Sequence, residues 1–280
     1  RKARPPVPPR MAIGRLIRSL VIMGGAQMVP REQALPGRAT KMPLSKTHYV
    51  LKTPMEGPWP PGAEKIVLAN GCFWGSEKGI WRLPGDGIIS TAVGYAAGYT
   101  PNPTYDGVCS GRTGHTEAVQ VVYDPSKISV VDILRWFWQA HDPTQVNRQG
   151  NDAGTQYRSG AYYFTEEQGK LVKASKEAYE KALMANGLGK IATEVRPASD
   201  FEQIFYYAED YHQQYLAKPG ARPYCSAQPR GVQLPPFETW CPKELQEKHK
   251  PILSEDFWKE HAPTPHCVIR SPNDKIKWDL

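Results

Sequence analysis

Cysteine is the residue type with the clearest chemical potential in this chain, and it occurs at positions 72, 109, 225, 241 and 267. The number is odd, the spacing is irregular and no CxxC pair occurs, so the sequence predicts neither a disulfide-stapled mini-domain nor a zinc ribbon. The histidines near the last two cysteines fit no zinc spacing either, and we predict no metal site. The pattern fits a protein with one or more reactive thiols in a reducing compartment better than it fits a secreted protein.

Cys72 has the most informative surroundings, because it lies in Gly-Cys-Phe-Trp-Gly at 71–75, directly after the apolar run 65–69. The run predicts a buried strand and residues 76–82 have helical character, so Cys72 is expected at a strand-to-helix junction. A helix N-terminus lowers a thiol pKa from its usual ~8.5. Phe73 and Trp74 add an apolar wall suited to a methyl or thioether group. The alternative is an inert cysteine in an aromatic core.

The elements that must position this junction follow from the hydrophobic pattern. Ser129 caps an amphipathic helix, Thr165 and Gln168 form a capping-box start for a helix to about residue 185, and a last helix ends near Lys218. Further strands or short extended segments are predicted at 87–98, 116–123, 159–164, 191–196 and 201–206. Irregular alternation of strands and helices predicts an α/β (α+β) fold, a two-layer sandwich around a mixed β-sheet.

The charge distribution divides the chain. Its net charge is +7, but residues 1–42 hold nine Lys or Arg and one acid, so the remainder sums to −1. The folded part therefore needs no nucleic-acid partner. No apolar run approaches the roughly 18 residues of a membrane span, and we expect a soluble monomer.

Three regions are expected: a leader at 1–46, a catalytic domain at 47–218 and a C-terminal coil at 219–280. From Met11 the leader has a basic amphipathic pattern without acids, typical of mitochondrial import signals, and a disordered tail is the alternative. A mitochondrial or cytoplasmic location is therefore expected. The coil is rich in proline, with one short helix predicted around 254–261.

Seven blocks of sequence resemble the A-type peptide methionine sulfoxide reductases, in the order in which that family has them. The first is Gly-Cys-Phe-Trp-Gly, and residues 32–38 also resemble the segment before the core in animal mitochondrial forms. The blocks lie at 71–75, 93–99, 102–105, 113–119, 141–145, 149–159 and 208–216.

The resemblance implies thiol-dependent reduction of methionine-S-sulfoxide, free and in proteins, to methionine. Cys72 would attack the sulfoxide sulfur and become a sulfenic acid, and Glu117 would protonate the sulfoxide oxygen. That role requires burial to raise the carboxyl pKa from ~4.3. The other implied residues are Tyr105 and Tyr157 on the sulfoxide oxygen, Asp152 ordering the polar network, and Phe73 and Trp74 holding the S-methyl group.

The family reduces its sulfenic acid with a cysteine on the C-terminal coil, and Cys225 stands at that position. The second tail cysteine of animal forms matches Leu234 here, so either Cys241 substitutes for it or Cys225 resolves alone. Thioredoxin, or dithiothreitol in vitro, is the expected reductant, and no bound cofactor is expected. Cys109 is interpreted as a structural thiol.

Two other classes remain open at this point. One is a cysteine acyl hydrolase or transferase that uses Cys72 with His115 or His212 as base. The other is a redox-sensing or methionine-binding module without turnover, which would follow if the altered tail prevents recycling.

Overall fold

A six-stranded sheet forms the centre of the computed structural model, which describes residues 27–280. Its order is β7-β6-β1-β3-β2-β8; β6 and β7 are parallel, the other neighbours are antiparallel, and β4 and β5 pair separately. The mixed sheet of the predicted α/β fold is confirmed. The strands are β1 (Glu64–Ala69), β2 (Ile88–Ala96), β3 (Thr116–Tyr123), β4 (Arg148–Gln149), β5 (Asp152–Ala153), β6 (Gly160–Tyr163), β7 (Glu194–Pro197) and β8 (Phe205–Tyr207).

The helices cover this sheet and carry the cap chemistry that the sequence predicts. Ser129 and Asp132 form a complete capping box. Thr165 accepts the N–H of Gln168, but the Gln168 amide oxygen accepts from Phe164 N instead of Thr165 N, so only half of the second box forms. The helices are α1 (Phe73–Trp81), α2 (Tyr105–Cys109), α3 (Val130–Gln139), α4 (Glu166–Ala185), α5 (Lys243–Gln246), α6 (Glu255–His261) and α7 (Cys267–Arg270).

Strand β3 is buried along its whole length, because apolar clusters cover both faces of the sheet. The larger cluster lies between the sheet and α1, α3 and α4, and includes Leu68, Phe73, Val119, Phe137 and Trp138. Pairing of β2 with β3 places Tyr95 opposite Glu117. The carboxyl group of Glu117 therefore lies at the centre of the sheet, in the apolar layer beside α1.

The predicted last helix ending near Lys218 is wrong. The segment after β8 consists of turns with a single 3-10 turn, Tyr215–Ala217. Gln213 accepts from Val93 N and donates to Val93 O, both at 2.9 Å, and Gln214 has a left-handed φ of 47°. The backbone of this segment adopts the conformation that places the two glutamine side chains in these hydrogen bonds. It therefore cannot form the regular hydrogen bonds of a helix.

The C-terminal region packs against the domain. The helix predicted around 254–261 is confirmed by α6, whose N-cap Ser254 accepts from Phe257 N at 3.2 Å. Phe257 and Trp258 are fully buried, and Arg135 on α3 donates to Glu255 at 2.9 Å. Residues 219–236 have no helix or strand, as the predicted coil requires, but the later residues form a folded wrap over α1 and α3.

Residues at the other end of the described chain also pack on the domain. Leu35 N donates to Arg112 O at 2.9 Å, and Thr100 Oγ1 donates to Leu35 O at 2.8 Å. The basic amphipathic helix predicted from Met11 lies outside the described residues. Within 27–280, no helix combines the length and apolarity that crossing a membrane requires.

Candidate active site

Cys72 is the N-cap residue of α1, at the junction between β1 and that helix. Gly71 before it has a φ of +93°, and a Cβ on it would lie 2.5 Å from Gln149 Cβ. Only glycine meets both requirements, so the sharp turn that aims Cys72 depends on it. The Cys72 residue is half-buried.

Glu117 on β3 lies directly beside this turn. One of its carboxyl oxygens accepts from Phe73 N at 3.0 Å, and the residue is only 2% exposed. Burial raises the pKa of Glu117 to about 8; the Phe73 N–H acts in the opposite direction and the charge of Asp152 in the same one. A buried carboxyl group with this pKa holds its proton near neutral pH.

The pKa of the Cys72 thiol lies well above its usual range. Burial raises it most, the charge of Glu117 comes next, and the Trp74 N–H lowers it. The low thiol pKa expected from the helix N-terminus is therefore wrong for the resting site, because the Trp74 N–H does not offset the burial of the thiol. A proton on Glu117 removes the second-largest of these contributions.

Two tyrosine hydroxyls lie within electrostatic range of the same carboxyl group. Burial raises the pKa of Tyr157, and the charge of Glu117 is the next cause. Burial also raises the pKa of Tyr105, followed by Cys109 and then by the charges of Glu117 and Cys72. Tyr105 is further held by its N–H, which donates to Glu209 Oε1 at 2.8 Å. The structure thus brings two phenol groups, a carboxyl group and a thiol to one place.

Asp152 on β5 links the site to the C-terminal coil. One carboxyl oxygen accepts from the Tyr224 hydroxyl, and the other is buried without a protein donor among residues 27–280. Tyr224 also meets Trp74 edge to face, with ring centroids 6.4 Å apart. Tyr224 covers the site from the coil, a role that was not predicted from the sequence, although its position beside Cys225 was a signal.

The aromatic residues at the start of α1 are held from several sides. Trp74 stacks on Tyr215 at 4.0 Å, and its indole N–H donates to His212 Nδ1 at 3.1 Å. Phe73 is fully buried, with its ring 5.2 Å from the His212 ring. This supporting role of His212 and Tyr215 was not predicted from the sequence. Together they fix an apolar wall next to the thiol.

Cys225 lies over the first turn of α1. A Cβ on Gly75 would lie 2.8 Å from Cys225 Sγ, and the charge of Cys225 contributes to the raised pKa of Cys72. The structure therefore brings Cys225 to the predicted nucleophile. It places Cys241 elsewhere, where burial, Glu244 and Glu238 raise its pKa to about 11.

Neither predicted alternative base serves Cys72. His115 Nε2 is bonded to Thr100 O at 2.8 Å, and burial lowers the pKa of His115 to about 4. His212 accepts from the Trp74 indole, and burial lowers its pKa to about 4 as well. The carboxyl of Glu117 and two phenol groups accompany the thiol, which suits protonation of an oxygen atom and not acyl transfer. No group of three metal-ligating side chains occurs in residues 27–280.

Comparison with known proteins decides the family. The sequence model described as peptide methionine sulfoxide reductase matches residues 64–237. The chain belongs to the peptide methionine sulfoxide reductase family. The matched stretch includes every proposed site residue from Cys72 to Cys225, and it ends before residues 238–280.

Individual relatives agree with this assignment. Peptide methionine sulfoxide reductase MsrA of Salinispora arenicola is 53% identical over 213 residues, which cover 75% of this chain and 93% of the relative. MsrA 2 of a Nostoc species is 56% identical over 187 residues, covering 67% and 82%. The solved structure of methionine sulfoxide reductase A of Corynebacterium diphtheriae has a TM-score of 0.66 and 43% identity, and the match covers 75% of this chain and 100% of that one. Reduced Mxr1 of Saccharomyces cerevisiae has a TM-score of 0.52 and 36% identity, covering 60% and 91%.

Proposed function

We propose that this member of the family reduces methionine-S-sulfoxide, free and in proteins, with Cys72 as the nucleophile and Glu117 as the acid. The observation that carries the proposal is the position of Glu117. Its carboxyl group is bonded to Phe73 N, one residue after Cys72, and burial raises its pKa to about 8. A proton donor is thus held beside a sulfur nucleophile at neutral pH.

In the first step, Cys72 sulfur attacks the sulfoxide sulfur and the oxygen passes to Cys72. The products are methionine and a sulfenic acid, so the sulfoxide sulfur is reduced and the cysteine sulfur is oxidised. Glu117 supplies the proton that the oxygen takes up, and Tyr105 and Tyr157 donate hydrogen bonds to it. Since a protonated Glu117 no longer repels a thiolate on Cys72, the acid and the nucleophile are favoured in the same protonation state.

The apolar wall selects the substrate. Phe73 and Trp74 are fixed by His212 and Tyr215, so a methyl group on the sulfoxide sulfur packs against immobile rings. The sulfoxide sulfur carries a methyl group, an oxygen atom and the rest of the methionine side chain. When the methyl group lies on the aromatic wall and the oxygen lies at the proton donor, only one direction is left for the side chain. We propose that this arrangement gives the preference for the S epimer, and that Asp152 orders the polar side of the site.

In the second step, Cys225 attacks the sulfenic acid on Cys72, which forms a disulfide and releases water. A dithiol then reduces the disulfide, and we propose thioredoxin as that partner, with dithiothreitol as a substitute in vitro. The buried position of Cys225 against Gly75 supports its role in resolution. No bound cofactor is needed. The first step transfers an oxygen atom from one sulfur to another, and the later steps form and exchange disulfide bonds.

We further propose an animal mitochondrial type, acting as a monomer in mitochondria or cytoplasm. The support is the basic pattern of residues 1–46 and the resemblance of residues 32–38, whereas the relatives compared are bacterial and fungal. Fusion of residues 1–46 to a fluorescent protein tests the location. A fusion that stays diffuse in the cytoplasm would contradict a mitochondrial signal.

A single-turnover assay tests the acid. Methionine release from each sulfoxide epimer is followed for the parent, Glu117→Gln and the control Glu64→Gln, whose carboxylate accepts from Tyr123 on the sheet. We expect Glu117→Gln to slow release from the S epimer by about 100-fold or more, and the control to match the parent. A Glu117→Gln rate within a few-fold of the parent would exclude this residue as the acid.

A further inference from the structure

The segment beyond the family match brings a third cysteine to Cys225. Cys267 is the first residue of α7, which packs on α1. A Cβ on Gly75 would lie 2.8 Å from Cys225 Sγ and 3.4 Å from Val268 Cγ2. The coil and α7 therefore meet over the same glycine, one turn after Cys72.

Cys225 and Cys267 also line one small cavity of about 20 Å³ together with Gly75 and Val268. Burial raises the pKa of Cys225 to about 11, and the charge of Cys267 contributes in the same direction. Cys225 thus lies within electrostatic range of two thiols, since its own charge also raises the pKa of Cys72. Cys225 is therefore near Cys72 through the first turn of α1 and near Cys267 through the shared cavity.

The two outer thiols differ from Cys225 in accessibility. Cys225 is 8% exposed, whereas Cys267 is half-buried. Cys267 also lines a larger cavity of about 240 Å³ with Arg82 and His261. Burial lowers the pKa of Arg82 and the charge of Cys267 raises it, so the guanidinium is near this thiol.

The segment that carries Cys267 is fixed to α1. Lys78 on α1 donates to Ser271 O and Asn273 Oδ1, both at 2.9 Å, and the Trp81 indole donates to Asn273 O at 2.9 Å. Ser271 Oγ in turn donates to Cys267 O at 2.6 Å. Cys72 and Cys267 are therefore positioned by the same helix, one at its start and the other across its flank.

We infer that Cys267 is the recycling thiol of this chain, which takes the disulfide from Cys225 and presents it to the reductant. The inference rests on the proposed function, since it needs a disulfide between Cys72 and Cys225. The Cys267 thiolate attacks Cys225 Sγ, the bond between Cys72 and Cys225 breaks, and the electron pair leaves on Cys72 sulfur, which takes up the proton that Cys267 lost. A protein dithiol such as thioredoxin then reduces the disulfide between Cys225 and Cys267.

The number of methionine molecules released without reductant tests this step. Pre-reduced, desalted protein is mixed with excess methionine-S-sulfoxide. The relay frees Cys72 for a second attack, so the parent should release about two methionines per chain, Cys267→Ser about one, Cys225→Ser about one and Cys72→Ser none. Cys241→Ser is the matched control and should release about two. Peptide mapping of the oxidised parent should find a disulfide between Cys225 and Cys267.

Each alternative gives a different count. A parent that releases one methionine, with a disulfide between Cys72 and Cys225, would overturn the inference and leave the proposed function intact. Two methionines from Cys267→Ser and one from Cys241→Ser would assign recycling to Cys241 instead. No release from the parent would refute the proposed function, and the inference with it.

Discussion

Glu117 should lower the stability of the fold over the pH range in which it holds the catalytic proton. In the unfolded chain its carboxyl group loses the proton above about pH 4.5, whereas burial keeps the proton in place to about pH 8 in the folded chain. Folding therefore takes up a proton between these values, and the free energy of unfolding falls as pH rises through that window. Glu117→Gln has no proton to exchange and should not show this fall.

The expected size follows from the two pKa values. At about 1.4 kcal/mol per pKa unit, a rise from 4.5 to about 8 corresponds to roughly 5 kcal/mol above pH 8, as an upper bound. The glutamine oxygen can still accept from Phe73 N, but burial of the amide N–H₂ group without an acceptor costs about 1–2 kcal/mol. That cost is the same at every pH, so the variant's stability relative to the parent should still increase by about 3.5 kcal/mol from pH 5 to pH 8.

Urea unfolding at pH 5, 6, 7 and 8 in the presence of dithiothreitol measures this difference. Glu77 and Asp132 also have pKa values raised by burial to about 7, but they are present in both chains and cancel in the comparison. Glu64→Gln serves as control and should parallel the parent. A difference between Glu117→Gln and the parent that stays constant over this range would refute the buried proton.

Three further changes have expected outcomes. Gly79→Ala places a Cβ 1.8 Å from Trp136 Cζ2 and should destabilise the chain by about 3 kcal/mol in urea; a loss below about 1 kcal/mol would contradict this packing. Asp132→Asn replaces one of the two carboxyl oxygens that accept from the Ser129, Ile252 and Leu253 N–H groups with an N–H₂ donor, and should lower stability by about 2–3 kcal/mol at pH 4, where the raised pKa of Asp132 has little effect on the comparison; unchanged stability would show that the C-terminal wrap is held otherwise. Tyr157→Phe should lower kcat/KM with dithiothreitol about tenfold without changing Tm, and an unchanged kcat/KM would remove the hydroxyl from the mechanism.

Local signals in the sequence were sufficient for much of the fold. Strand β3 covers the predicted residues 116–123, and the Ser129 cap begins α3, because alternation and capping depend on neighbours in the chain. The helix expected before Lys218 failed because Gln213 and Gln214 bond to groups on β2 and α1 that no local pattern reveals.

The site also combines features that local sequence predicts with features that depend on distant contacts. The residues of the family motifs converge on Glu117 and Cys72, but the raised pKa of the thiol depends on burial and on a carboxyl group 45 positions away in the chain. The nearness of Cys267 to Cys225 is also tertiary. It depends on contacts of Lys78 and Trp81 with the end of the chain, and the sequence around Cys267 has no periodic pattern that would indicate them.

The most direct test of the account is to identify the atom that takes the sulfoxide oxygen. Cys225→Ser should stop after one attack and retain a sulfenic acid on Cys72, which dimedone converts to a stable thioether. Tandem mass spectrometry after mixing with methionine-S-sulfoxide should locate dimedone on Cys72, in proportion to the methionine released. Methionine release without an adduct on Cys72, or an adduct on another cysteine, would contradict the assignment of Cys72 as the nucleophile.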